Sequence, residues 1–407
     1  MVVSLLKVNN LVTMDRADAV LAAAFKTHDL HPSLVQMQLC QHSFIYFYLS
    51  IAILSIILTK AVGFPHAAAK LGNQLKEHHV ANLSLTIACG PYDRMSGIAD
   101  GTVRIEGIDA TYISIKSGPE IFSRMIKGHE FDVSEMSAST YLSARTRGGF
   151  PFVGIPVFPS KVFRHGYIFI NKNANIRKPS DLAGRRVGMM GYRQTAAVWI
   201  RGMLKQDYGI DLRSIRWLEG GSDAPFSGGG KDINIPEGIT IETIPNDVAM
   251  SDLLAKGEID AMLGARHPAS FGKNPNVVRL FPNYREIERD YYHHTGIFPI
   301  MHTVVMREEL YNKHRWIASS LFKAFTEAKE LAYRQMRFTG AMKYALPWLH
   351  NDLDEIDELF GGDPFAYGIE ANRASLSALA SYLLDQGFVE RPIDINTIFA
   401  PVIADSL

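Results

Sequence analysis

From Leu83 onward, short apolar runs alternate with stretches of helical period. The strings LSLTIAC (83–89), TVRIEGIDATYISI (102–115), FDVSEM (131–136), FPFVGIPVF (150–158) and HGYIFIN (165–171) predict strands. Between them, GPEIFSRMIKG (118–128) and STYLSART (139–146) space apolar residues three and four apart, which predicts helices. A loop and a one-turn helix capped by Ser180 then lead into a new strand, RRVGMM (185–190). A second alternating unit follows: helix TAAVWIRGMLKQDYG, strand SIRWLEG, a glycine-rich loop at 227–230, strand ITIETI, helix DVAMSDLLAKG and strand EIDAMLGA, ending near PNVVRLF. Strand IMHTVVM (300–306) precedes two long helices, expected over Glu308 to Thr339 and Glu370 to Gln386. The pattern predicts an α/β protein of two lobes, each a mostly parallel sheet flanked by helices. The expected division is 83–180 for the first part of lobe 1, 181–284 for lobe 2, and 285–407 for a return to lobe 1 with the C-terminal helices.

The first 82 residues break this pattern and form an N-terminal extension. Residues 43–59 make an uncharged apolar run closed by Lys60. That is the short edge of a membrane span, which needs roughly 20 residues, and it also resembles the apolar part of a secretion signal. A signal or anchor, an extension outside the working protein and a packed helix remain open. Location follows from that choice: cytoplasmic if the run is unused, membrane-anchored or exported if it is used.

With 407 residues, 47% hydrophobic and 21% charged, the chain can bury two cores. Lys and Arg number 42 and so do Asp and Glu, so no global basic field exists to hold nucleic acid or an anionic membrane. Anion recognition must be local. Cys40 and Cys89 are too few for a disulfide scaffold, a four-cysteine zinc site or a cysteine-ligated iron–sulfur cluster.

Ligands of open α/β sheets lie beyond the carboxyl ends of strands, which selects a short set of residues. Arg94 follows the first strand, Glu135 with Ser137 and Ser139 closes the FDVSEM strand, and Arg164 and His165 follow FPFVGIPVF. The second lobe offers Arg193 and Thr195 at a strand-to-helix turn, and Arg266 with His267 after EIDAMLGA. Arginines at 94, 164, 193 and 266 suit a ligand bearing carboxylates, because a guanidinium pairs with a carboxylate through two parallel hydrogen bonds. The helix opening at Thr195 adds backbone N–H groups and a positive dipole end. His165 and His302 are the candidate proton carriers, since imidazole titrates nearest neutral pH. Each could equally be a structural histidine, and Glu135 a helix N-terminal charge. His293, His294 and His302 lack any metal-ligand spacing, so no metal is assigned. The 227–230 glycines lack the Lys-Ser/Thr sequel of a phosphate loop.

IRKPSDLAGRRVG, TAAVWIRGML and LLAKGEIDAMLGA resemble the lobe crossover and second lobe of type II periplasmic-binding-protein folds. Within that superfamily, VFPSKVFRHGYIFIN, YRQTAAVWIRGMLKQDYGI, IRWLEGG and TGIFPIMHTVVMREEL resemble the 4,5-dihydroxyphthalate decarboxylase family, over about Leu83 to Phe399. The resemblance implies a carboxy-lyase acting on a small aromatic dicarboxylate, with His302 or His165 as proton donor, Glu135 accepting a phenolic proton, and Arg94, Arg164, Arg193, Thr195 and Arg266 holding the substrate. No cofactor is implied, because the ring itself is the electron sink. The rival reading is a solute-binding protein of a transport system for an aromatic or heterocyclic acid. An assembly of like chains is compatible with either. The fold hosts binders and enzymes alike, so activity has to be argued from the site.

Overall fold

A computed structural model of the chain describes residues 82–223 and 235–402. The apolar run at 43–59 and the glycine loop at 227–230 lie outside the described residues. Two sheets form the frame. The first is built from β1 (Leu83–Cys89), β2 (Ile108–Ser114), β3 (Val133–Ser137), β4 (Phe152–Lys161) and β11 (Ile300–Arg307), in the order β2-β1-β3-β11-β4. The second is built from β5 (Ile168–Asn171), β6 (Arg186–Met189), β7 (Arg216–Glu219), β8 (Ile241–Thr243), β9 (Ala261–Leu263) and β10 (Val277–Arg279), in the order β10-β5-β9-β6-β7-β8.

The helices of the first lobe are α1 (Ser96–Ala99), α2 (Gly118–Gly128) and α3 (Ala138–Arg147). Those of the second are α4 (Thr195–Gln206), α5 (Met250–Lys256) and α6 (Tyr284–Thr295). After β11 come α7 (Glu308–Lys313), α8 (Ile317–Arg337), α9 (Leu349–Phe360) and α10 (Arg373–Asp385). β11 inserts antiparallel between β3 and β4 in the first sheet. Both lobes are α/β, but their sheets are mixed rather than mostly parallel: β11 runs antiparallel to β3 and β4, and β5 to β9 and β10.

Several predicted elements differ in the structure. TVRIEGIDATYISI is a strand only from Ile108, because Gly107 takes a φ of +71° and turns the chain just before it. HGYIFIN forms β5, which pairs antiparallel with β9 and β10, so the second sheet begins ahead of residue 181. Glu308 to Thr339 is not one helix: α7 ends at Lys313, and α8 starts after Trp316, whose ring lies over Gly107 where a Cβ would come within 2.9 Å.

The core runs through both lobes. α4 is buried at every position from Thr195 to Leu204, since it is wedged between the second sheet and α10. Its polar side chains are satisfied inside: Trp199 Nε1 donates to the carbonyl of Ile300 at 2.8 Å, and Arg201 Nε to Gln386 Oε1 at 2.9 Å. Gly202 lets α10 approach, because a Cβ there would sit 2.2 Å from the Tyr382 ring. Gly202→Ala is therefore expected to destabilise the protein by about 2 kcal/mol or more, since overpacking outweighs the gain in helix propensity of about 1 kcal/mol. Chemical denaturation measures it, and a more stable variant would contradict the packing.

Among the described residues, no helix is long and apolar enough to cross a membrane, and no group of three or more His, Cys, Asp or Glu is placed to hold a metal ion.

Candidate active site

β3 and β11 are antiparallel neighbours with His302 opposite Ser137. Glu135 lies two residues before Ser137 and shares its face of the sheet, so the carboxylate and the imidazole are diagonal neighbours. Glu135 is fully buried, and His302 Nδ1 lies 2.5 Å from its Oε1. The Tyr92 hydroxyl donates to the same oxygen at 2.5 Å, and the Gly90 N–H donates to Oε2 at 2.8 Å. Both donors come from the loop after β1.

Burial works against ionisation of Glu135, but the hydrogen bonds and charge of His302, with the bonds from Tyr92 and Gly90, more than offset it and hold the carboxyl below its ordinary value. Burial and the Glu135 charge push the Tyr92 phenol well up, so it stays a donor. An ionised carboxylate only accepts, so Nδ1 of His302 carries a proton and Nε2 is left for chemistry. The His302 side chain is 23% exposed. Phe122 on α2 presses edge-on against the ring at 5.0 Å. Gly118, whose Cβ would stand 3.5 Å from His302 Cε1, leaves the space beside it.

Next to His302 the lobes meet through hydroxyls. Ser137 caps α3 by accepting the Thr140 N–H, and Thr195 opens α4. Thr195 Oγ1 lies 2.8 Å from both Ser137 Oγ and Ser139 Oγ, and it accepts the Ser139 N–H at 3.3 Å. Ser139 Oγ donates to the backbone carbonyl of Arg193 at 3.0 Å. Two helix N-termini, one per lobe, therefore converge beside the imidazole, where they favour negative charge. Gln194 adds a shielded Oε1 that finds no hydrogen-bond donor among the described residues.

The remaining residues expected from sequence are dispersed. Arg94 is spent locally: it pairs with Asp93 at 3.0 Å, donates Nε to the Pro159 carbonyl at 2.8 Å, and is sandwiched between Tyr92 and Phe365. His165 is 1% exposed among Tyr208, Phe281 and Tyr291, and burial pushes its imidazole down to about 4. Its three ring neighbours belong to none of the groups around Glu135 and His302. Arg164 is also buried, stacked on Tyr167, with Nε and Nη1 unpartnered among the described residues. Arg193 is half-buried at the lobe junction, and Arg266 is exposed at the end of β9. His293 and His294 are exposed on α6.

Sequence reasoning missed the joint role of Tyr92 and Gly90 around Glu135, and the ring of Phe122. The GPYDR turn after a strand was a signal for the first two; nothing local marked the third.

No family model matches the chain. It is 33% identical to a 4,5-dihydroxyphthalate decarboxylase of Comamonas testosteroni over 328 residues, covering 80% of this chain and 99% of that protein. It is 34% identical to a 4,5-dihydroxyphthalate decarboxylase of Pseudomonas putida over 211 residues, covering 52% of this chain and 81% of that protein. Among solved structures, the periplasmic aliphatic sulphonate-binding protein SsuA of Escherichia coli aligns over 78% of this chain and 97% of its own, at 12% identity and a TM-score of 0.45. On the identity and reach of the Comamonas relative, the chain belongs to the 4,5-dihydroxyphthalate decarboxylase family of carboxy-lyases.

Proposed function

We propose that the protein is a non-oxidative decarboxylase of a hydroxylated aromatic dicarboxylate, converting 4,5-dihydroxyphthalate to protocatechuate and carbon dioxide between the lobes. The observation that carries this reading is the buried Glu135 carboxylate bonded to Nδ1 of a partly exposed His302. Solute capture has no need of such a pair; proton transfer does.

Each substrate carboxylate lies para to a hydroxyl. Loss of that hydroxyl's proton to solvent pushes electron density onto the ring carbon bearing the carboxylate, and solvent returns that proton once carbon dioxide has left. His302, protonated at Nε2, delivers its proton to that carbon. The bond to the carboxylate then breaks, its electron pair returns to the ring, and carbon dioxide departs. Solvent restores the proton to Nε2. Glu135, whose oxygens are already bonded by His302, Tyr92 and Gly90, acts on the ring orientation and tautomer of His302 rather than as the acceptor of the phenolic proton, and it offsets the positive charge while the ring holds two protons. The hydroxyls of Ser137, Ser139 and Thr195, with the N-termini of α3 and α4, receive a carboxylate, and Arg193 and Arg266 attract the diacid. The costly step is loss of aromaticity, so the useful contacts are those that strengthen as charge spreads into the ring.

The test is incubation of the purified full chain with 4,5-dihydroxyphthalate while carbon dioxide and protocatechuate are quantified. Stoichiometric appearance of both supports the reading. Tight binding with no product moves it to solute capture.

A further inference from the structure

A cavity of about 340 Å³ lies at the hinge, lined from both segments that cross between the lobes. The outgoing segment contributes Lys161, Phe163 and Tyr167; the returning one contributes Tyr284, Glu288 and Phe298; Arg279 at the end of β10 and His267 close it. It shares no residue with the Glu135–His302 cluster. Its size lies at the lower end of the range for small-molecule pockets, about 300–1,000 Å³.

Two features point to the chemistry of an occupant. Four rings, Phe163, Tyr167, Tyr284 and Phe298, make walls that would hold a flat apolar body. The charges are unbalanced as well. Lys161, Arg279 and the adjoining Arg164 form no ion pair among the described residues. Lys161 is 7% exposed and donates only to the Pro364 carbonyl and Asn372 Oδ1. Arg279 donates Nε to the Gly166 carbonyl at 3.0 Å and lies over the Phe271 and Tyr284 rings. Arg164, stacked on Tyr167, is 4% exposed with Nε and Nη1 unpartnered. Two carboxylates act on these cations: Glu288, near Arg164 and Arg279, accepts the Gly166 N–H at 3.0 Å, and Asp363, near Lys161, is paired with Lys329. Two buried cations and a half-buried one, none in an ion pair among the described residues, outnumber the carboxylates free to face them, an excess that a ligand carboxylate would offset. We propose that the hinge cavity is a second ligand site that takes a small aromatic monocarboxylate, its ring between the aromatic walls and its carboxylate toward Arg279 and Lys161. Burial pushes Glu288 up to about 7 and Lys161 down to about 7, so the cavity keeps a net positive charge that suits an anion, and a volume of about 340 Å³ suits a single small ring. This site is independent of the decarboxylase reading.

The probe is benzoate, titrated calorimetrically into the full chain at pH 7 and low salt, with uncharged benzamide alongside. Expected is one benzoate per chain, retained in His302→Ala and weakened about tenfold or more in Arg279→Ala and Lys161→Met, with benzamide at least about tenfold weaker than benzoate. Arg279→Ala also strips ring contacts, so if it fails to fold, Lys161→Met decides. Unchanged affinity in the folded variants, loss of binding in His302→Ala, or no binding up to about 10 mM overturns the proposal.

Discussion

His302→Ala is expected to lower turnover of 4,5-dihydroxyphthalate by about a thousandfold or more while the protein remains folded. A positioned general acid contributes about 10²–10⁴ in rate, and a thousandfold corresponds to about 4 kcal/mol of barrier. The loss should fall on kcat rather than KM, because the imidazole acts on a proton that moves only as carbon dioxide leaves. The stability cost is smaller. His302 is partly exposed, and its removal takes one of three hydrogen bonds from the buried Glu135 carboxylate, worth about 1–3 kcal/mol. His165→Ala is the contrasting variant: it opens a hole among Tyr208, Phe281 and Tyr291 and should reduce stability, yet folded molecules should still turn over. Carbon dioxide release by each, normalised to folded protein, separates the two histidines. Near-normal turnover in His302→Ala would reject its assignment.

Why the sequence separates these residues only in part is a matter of distance along the chain. Strands such as LSLTIAC and IMHTVVM were readable because their apolar runs are bounded by turn residues, and α2 because its apolar positions recur every three or four. His302 stood out by residue type and by the family string around it. Its link to Glu135 was hidden: 167 positions separate them, and only the antiparallel seating of β11 against β3 brings them together. Arg94 looked like a carboxylate fork at a strand end, but Asp93 beside it and the Pro159 carbonyl had already claimed its donors. The Asp93 neighbour was visible in sequence; the carbonyl, 65 residues away, was not. For His165 a signal did exist, since the flanking string GYIFIN is that of a buried strand, and an imidazole at its head is more readily packed than exposed. The hinge cavity escaped notice because Lys161, Arg279 and Glu288 belong to three separate elements and sit near no common motif.

Glu135→Gln tests the positioning role with almost no change in shape. Glutamine keeps an oxygen that can accept from His302 or Tyr92, but it removes the charge and introduces an NH₂ group that can donate to Nδ1 and reverse the imidazole tautomer. With Nδ1 as acceptor, Nε2 would carry the proton in the neutral ring, and no fixed negative charge would compensate the doubly protonated form. The expected result is a loss of about 10²–10³ in kcat with KM little changed, smaller than for His302→Ala because the imidazole is still present. A second readout follows from linkage. The folded-state value of Glu135 lies below that of the unfolded chain, so on the acid side the unfolded chain binds more protons. Its stabilising contribution is therefore complete above the unfolded value of about 4.3 and fades as pH falls through the folded one. Glutamine cannot titrate, so the melting temperature of Glu135→Gln should fall less steeply than that of the unmodified protein below about pH 4.3, while the two curves run parallel above it. Equal acid slopes together with turnover within about twofold of normal would remove Glu135 from the mechanism and leave it a buried structural acceptor.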